Sequence, residues 1–540
     1  MLGGAGKKSC IDIDRDTGAG EGPETIGGNM TISRIASFGA CLLALAVGTA
    51  HAETSDPPLV NNPAAYNWTI WGKGEHHGFI RDTEVPGGSA FHVEVDTRPA
   101  DGHPWDIGVH TPTGADIHKG DPVVIAFWAR SESGPVHFYA GARGDSDGSP
   151  DVAAATVDID ETWRLHYLEG TSPGDFAAGH VDLNLQVAGQ KQTLDFGPVY
   201  ILAGPTANRD MASESRLADI AVGSVEDFTI DNAAAGVTLA ATLRMPAGQG
   251  PYPTVVLFSG HGPFTRNNDS VLTRALNANG IATLEYDKRG TGASTGHYDD
   301  AALSDLIDDA AKVTAWLQTR PEADPKHIGV LGGSEGGLIA PAIAAGNSSV
   351  SFVVALAGPA VSSDHILLTQ VELQMKSAGA PEAQITQVLD MYRAGLASLK
   401  TANSDAEAEA NLRTALAPYV VSGLITAEQV DGVVKGFAPR GIRELSKHDP
   451  QAVLRQVHVP VLAVFGSVDR QVPAADNMPA WRQGLEDNPD VTVVELQGYN
   501  HLFQHAKTGT VEEWSELKEA QGSDPEFLKL IVDWIKAHTR

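Results

Sequence analysis

Between residues 62 and 203 apolar side chains recur at every second position in short runs: Phe91, Val93 and Val95, then Val123, Ile125 and Phe127, then Val181, Leu183, Leu185 and Val187. A period of two marks strands with one face buried. Pro86-Gly87-Gly88, Pro112-Thr113-Gly114 and Gly144-Asp145-Ser146-Asp147-Gly148 punctuate the runs as turns, so the pattern predicts an all-β sandwich over 53–205. From 212 onward the texture changes. A hairpin pattern around Phe228 and Leu239 is followed by apolar runs at 254–258, 282–286, 328–331, 352–357, 461–465 and 492–496, separated by helix-length stretches. Runs apolar on both faces predict parallel strands covered on both sides, a doubly wound α/β domain over 212–540. Over 362–449 the alternation gives way to helical spacing (Ile366, Leu367, Val371, Met375, then Ile385, Leu389, Tyr392, Leu396, Leu399), which predicts a helical cap inserted between two strands. Ser523-Asp524-Pro525-Glu526 matches a capping box and opens a last helix that buries Phe527, Leu528, Ile531, Trp534 and Ile535.

Charge narrows the partners. The 540 residues carry 38 Lys and Arg against 68 Asp and Glu, a net −30, which repels nucleic acid and an anionic membrane surface alike. One segment bears on location. Arg34 precedes Cys41-Leu42-Leu43-Ala44-Leu45-Ala46-Val47, and Ala50-His51-Ala52 follows it. This is the layout of a signal peptide over 30–52 starting at Met30, with 1–29 as an upstream extension. The apolar run is too short to span a bilayer. The expectation is an exported chain, periplasmic or secreted, that leaves the membrane once cleaved after Ala52. Cleavage removes Cys10 and Cys41, the chain's two cysteines, so neither a thiol nucleophile nor a cysteine metal site is expected. Asp145-Ser146-Asp147-Gly148 begins like a calcium loop but has no Glu at the twelfth position; no metal and no cofactor is expected.

Gly332-Gly333-Ser334-Glu335-Gly336 is a G-x-S-x-G pentapeptide lying between the 328–331 strand and a helical run. That placement is what a nucleophile elbow needs: a turn so tight that glycine must flank a strained serine, with a helix N-terminus aimed at its hydroxyl. Serine becomes a nucleophile only when a base takes its proton, so a histidine and an orienting acid must follow, each on a loop after a strand. Asp469 follows the 461–465 strand and His501 follows the 492–496 strand. His505 and Asp476 are the nearest competitors, both past the loop tips. The oxyanion would be held by the backbone N–H of Glu335 and by one from Ser259-Gly260-His261-Gly262-Pro263, His261 first and Gly262 second. The His261 side chain either faces water or reaches the substrate.

Ser259-Gly260-His261-Gly262-Pro263 with Arg266-Asn267, Tyr286-Asp287-Lys288-Arg289-Gly290-Thr291-Gly292 and Ser294-Thr295-Gly296 lead a series of motifs. Gly333-Ser334-Glu335-Gly336-Gly337, Asp469-Arg470-Gln471-Val472-Pro473 and Asn500-His501-Leu502-Phe503 complete it. Together the chain from 227 onward resembles bacterial α/β-hydrolases of the carboxylesterase and serine-peptidase-like group. The resemblance implies the same Ser334, Asp469 and His501 triad and a cap over the site; it departs at Thr265, where an acidic residue commonly precedes the Arg. The segments around Phe91, Trp105 and Trp128 resemble jelly-roll carbohydrate-binding modules, which implies a glycan as partner of the sandwich. Against this, the five tryptophans Trp68, Trp71, Trp105, Trp128 and Trp163 are equally readable as core, the reading preferred here. The expected activity is hydrolysis of small carboxylic esters through an acyl-enzyme. A peptidase or amidase, a glycan-directed acyl esterase, and a sugar-binding protein with an inactive hydrolase domain are the alternatives.

Overall fold

The protein is described here from a computed structural model covering residues 57–96, 102–145, 148, 150–218, 220–266, 271–514, 516–517 and 521–540. The expected leader over 30–52, the extension 1–29, Asn267, and Ser146 and Asp147 of the aspartate-rich turn lie outside the described residues. Residues Asp56–Arg540 form one compact unit. Among the described residues no helix is long and apolar enough to cross a membrane.

The first ten strands are β1 (Thr69–Trp71), β2 (Glu75–Arg81), β3 (Ser89–Val95), β4 (Gly108–Pro112), β5 (Pro122–Ser131), β6 (Val136–Gly144), β7 (Asp151–Ile159), β8 (Arg164–Thr171), β9 (Val181–Gln186) and β10 (Gln192–Ala203). They form two five-stranded antiparallel sheets ordered β1-β4-β9-β6-β7 and β2-β3-β10-β5-β8. Phe91, Val93, Phe127, Leu183, Leu185 and Phe196 meet in the core, as the period-two runs require. Strand β5 departs from that pattern. Val124, Ala126 and Trp128 on its other face are buried too, against Tyr200, Leu202, Met211 and Leu217, because the segment through α1 (Glu214–Leu217) covers it. The tryptophans divide. Trp68 and Trp128 are buried and Trp163 is half-buried with its N–H donated to Asp82, whereas Trp71 is 43% and Trp105 is 52% exposed. The core reading therefore fails for Trp71 and Trp105, which stand outside the sandwich core.

Strands β11 (Ser224–Asn232), β12 (Val237–Met245), β13 (Tyr252–Phe258), β14 (Ala282–Tyr286), β15 (Ala323–Gly333), β16 (Val350–Leu356), β17 (Val461–Gly466) and β18 (Val491–Leu496) build the second part. Their order is β11-β12-β14-β13-β15-β16-β17-β18; β12 pairs antiparallel with both β11 and β14, and the strands from β14 to β18 pair parallel. Alternate residues of the central strands feed opposite cores. Val256, Val330, Val353 and Ala463 pack with α3 (Leu303–Leu317), α4 (Gly336–Gly346) and α11 (Ala474–Gly484). Val255, Leu331, Val354 and Leu462 pack with α2 (Val271–Ala278) and α13 (Pro525–Ala537). Helix α13 is capped by Asp524, whose carboxylate accepts from the N–H groups of Glu526 and Phe527. Pro525 occupies the first helical position, so the cap falls one residue later than a box opened by Ser523.

Between β16 and β17 the chain forms α5 (Ser363–Ser377), α6 (Glu382–Leu399), α7 (Asp405–Val421), α8 (Ala427–Phe437), α9 (Arg440–Lys447) and α10 (Pro450–Leu454). The first five of these make the helical cap, and Leu396, Leu399, Leu412, Leu416 and Val434 give it a core of its own. The short α12 (Val511–Trp514) follows β18. The sandwich and the α/β part are joined along β11. Val225 belongs to the sandwich core and its N–H donates to Ser89 Oγ at 3.1 Å, while the Phe79 N–H donates to Asp227 at 3.2 Å.

Candidate active site

Ser334, Asp469 and His501 all lie just past the carboxyl ends of parallel strands, where the register aligns Gly333 with Leu356, Leu356 with Val464, and Val464 with Val494. Sites in open α/β sheets gather at that edge because the loops there are free to converge. Ser334 sits between β15 and α4 at φ +52°, a left-handed conformation that costs a non-glycine residue about 1 kcal/mol or more. Its neighbours explain how the strain is held. A Cβ on Gly332 would meet the Gly336 carbonyl oxygen at 1.9 Å, and one on Gly336 would meet the Phe258 carbonyl oxygen at 2.1 Å. Only glycine allows so close a turn at both positions.

Asp469 and His501 are joined directly. Asp469 is fully buried; its Oδ1 accepts the N–H groups of Gln471 (2.7 Å) and Val472 (2.9 Å), and its Oδ2 lies 2.8 Å from His501 Nδ1. A carboxylate so held accepts the Nδ1 proton and leaves Nε2 with its lone pair. Trp514 of α12 lies nearly parallel to the His501 ring, centroids 6.0 Å apart. Ser334 Oγ makes no hydrogen bond to any described residue. The competitors are engaged elsewhere: His505 with Asp524 and Asp476 with His365.

The loop after β13 reaches Ser334, since a Cβ on Gly260 would come within 3.3 Å of Ser334 Cβ. Three side chains fix it. Lys288 Nζ donates to the Gly260 carbonyl (2.5 Å), Tyr298 OH accepts the Gly262 N–H (2.7 Å), and Glu335 Oε1 lies 2.9 Å from His261 Nδ1. Spending the Gly262 N–H on Tyr298 removes it as the second choice of oxyanion donor. The N–H groups of His261 and Glu335 have no hydrogen-bond partner among the described residues. Glu335 Oε2 also takes Lys288 Nζ at 2.9 Å, with Lys288 only 2% exposed. The sequence points to the main chain of Glu335 but not to the ion network of its side chain. The signal was present: Asp287-Lys288-Arg289 follows a fully buried strand without a break, and charges at such a place need partners. Arg289 pairs with Asp309 (2.6 Å). Asp287 accepts the Arg266 and Ala293 N–H groups. The Arg266 side chain meets Asp227 at 3.7 Å and Asp287 at 3.9 Å, so these two stand in for the acid absent at Thr265. The cap touches the acid loop through Gln370, which donates to the Gln471 carbonyl at 2.9 Å.

The charges of the network shift one another. The hydrogen bond to Glu335, more than its charge, raises His261 above its ordinary value of 6.5 against the opposing effect of burial. Burial pushes Glu335 up, but the bonds from His261 and Lys288 outweigh it and hold the carboxyl below 4.5. Tyr298 is pushed up to about 12, by burial first and by the Glu335 charge second. The sign follows from linkage. The raised histidine stabilises most below pH 6.5 and loses this as pH rises through its folded value; the depressed glutamate stabilises above pH 4.5 and loses this as pH falls through its own. The loop is thus held best between those limits. An NMR titration of the His261 ring should give a midpoint above 6.5 in the native protein and a lower one in Glu335→Gln; equal midpoints would refute the pairing.

The sheet order, the glycine-flanked serine after the central strand and the Asp469–His501 pair at the sheet's carboxyl edge define an α/β-hydrolase. Residues 235–506 match the profile of the X-Pro dipeptidyl-peptidase (S15) family. The chain belongs to that family. A curated relative, esterase EstD of Thermotoga maritima, is 25% identical over 285 residues, 52% of this chain and 60% of that protein. The match thus spans less than two thirds of the relative. Among solved structures, ferulic acid-bound Est1E of Butyrivibrio proteoclasticus is 16% identical, covering 58% of this chain and 97% of that one with a TM-score of 0.36. An esterase of Pyrococcus furiosus is 16% identical, covering 62% and 96% with a TM-score of 0.37.

Proposed function

We propose that the protein is a serine esterase acting through a Ser334–His501–Asp469 triad. The observation that carries this reading is the buried Asp469 carboxylate on His501 Nδ1 at 2.8 Å, on the same sheet edge as a serine held at positive φ. His501 Nε2 takes the Ser334 proton as Oγ attacks the ester carbonyl, and Asp469 keeps the imidazole in the tautomer that can accept it. The tetrahedral oxyanion sits on the N–H groups of His261 and Glu335, at the N-terminus of α4. His501 returns the proton to the leaving alcohol. Water then attacks the acyl-enzyme by the same route, releasing the acid and restoring Ser334.

The relative named an esterase supports ester over amide; the family match keeps an S15-type peptidase as the second reading. The two differ in the leaving group, since an amine must be protonated before it departs. Hydrolysis of a p-nitrophenyl ester should exceed that of an X-Pro p-nitroanilide by about a hundredfold or more in kcat/KM, the reach of one lost proton-transfer contribution. The reverse order would replace the esterase reading with the peptidase one. Absence of fluorophosphonate labelling at Ser334 would overturn both.

A further inference from the structure

We infer that the outer face of the sheet β1-β4-β9-β6-β7 is a binding platform for a neutral polysaccharide chain. That face holds a groove of about 710 Å³ whose walls include Trp71, Trp105 and Tyr139. Two of these rings are exposed tryptophans, 43% and 52%, which is unusual away from interaction sites because the largest apolar side chains are the ones most favoured by burial.

The sheet is built to lay the rings flat. Trp71 of β1 stands opposite Gly108 of β4, and a Cβ on Gly108 would lie 2.6 Å from the indole and 2.5 Å from the Asn184 amide. On β6 a Cβ at Gly141 would lie 2.7 Å from the Tyr139 ring. Glycine at these two positions lowers the floor so that each aromatic lies along the sheet. Trp105 is supported from the side by His103, nearly parallel at 4.5 Å. The register continues the surface: Trp71, Gly108 and Gln186 form one cross-strand row, and His110, Asn184 and Gly141 the next.

The polar groups of the face select the occupant. Arg143, the cation lining the groove, is already paired with Asp151 at 2.8 Å, and Asp182 lies 3.2 Å from His110, so that cation is not left to draw an anion. Asn184 and Gln186 point outward from β9 at strand spacing, half-buried, and neither side chain makes a hydrogen bond to a described residue. Each amide offers both a donor and an acceptor. Flat aromatic surfaces beside outward-facing amides and a paired cation suit a molecule with apolar ring faces and hydroxyl edges. A chain of pyranose sugars has both: its axial C–H groups stack on aromatic rings while equatorial hydroxyls meet the amides. With Arg143 paired and Asp182 in the wall, the groove offers an acidic glycan little attraction, and the chain's −30 adds to that at long range.

This inference is independent of the catalytic reading, so the two fail separately. The test titrates the whole protein with cellohexaose, xylohexaose and chitohexaose, and with polygalacturonate as the anionic arm, by calorimetry and tryptophan fluorescence. At least one neutral hexasaccharide should bind and quench fluorescence. Trp71→Ala and Trp105→Ala should each weaken it about tenfold, a size typical for loss of one stacked ring, with p-nitrophenyl ester turnover unchanged. Asn184→Ala, which removes an amide with no partner among the described residues, should also weaken binding and covers the case in which a tryptophan variant misfolds. The proposal is overturned if no neutral hexasaccharide binds at millimolar concentration, if binding survives the tryptophan and Asn184 substitutions, or if polygalacturonate binds most tightly.

Discussion

Ser334→Ala is expected to lose ester turnover by about 10⁴- to 10⁶-fold, the range for removing a nucleophile whose partners act as a unit, while unfolding at the temperature of the native protein. Ser334→Gly should be just as inactive, yet more stable than the alanine variant by about 1 kcal/mol, because glycine adopts φ near +52° without the clash that a Cβ brings. Two independent features of the elbow are thereby separated: the hydroxyl does chemistry and the backbone stores strain. Stopped-flow assay with a p-nitrophenyl ester and denaturant unfolding of both variants measure them. Retained turnover in either variant would remove Ser334 from the reaction.

Lys288→Met should carry the largest stability cost of any single replacement near the site. Lys288 is 2% exposed and holds Glu335 and the Gly260 carbonyl at once. Removing one member of a buried ion pair strands the other, at a cost of about 3–5 kcal/mol. The loss should also reach catalysis, since the freed Gly260 no longer fixes the loop that carries the His261 N–H. Adding Glu335→Gln to Lys288→Met should recover part of the stability, because the stranded charge is gone, but not the turnover, because the loop remains untied. Urea unfolding and ester kinetics on the two variants check this. A single variant within about 1 kcal/mol of the native protein would show that the network does not hold the loop, since breaking it would then cost no more than a surface pair.

What the sequence makes legible follows from where the information lies. The positions of Ser334, Asp469 and His501 can be read because each follows an apolar strand run directly, so the chain itself says which end of the sheet they share. The eight-strand order is harder, but its two-faced strands and long helical stretches leave few alternatives. The Lys288–Glu335–His261 network is not legible as a set: its members are 47 and 74 residues apart, and nothing local states that they meet. Tryptophan placement fails for a related reason. Trp71 and Trp68 are three residues apart on neighbouring stretches, yet one is exposed and the other buried, and only the course of a short edge strand decides between them. Gly108 and Gly141 look like ordinary strand irregularities until the rings above them are seen.

The seam at β11 has a consequence for how such chains can be recombined. Because Val225 fills the sandwich core from beyond the change in texture, a fragment ending at residue 205 would carry an unfilled hole and an unanswered Ser89 hydroxyl. Grafting this module onto another enzyme, in the laboratory or by gene fusion, would have to take the hairpin along. The hairpin in turn is the first edge of the other sheet, so neither half is a cassette, and their inheritance is joint.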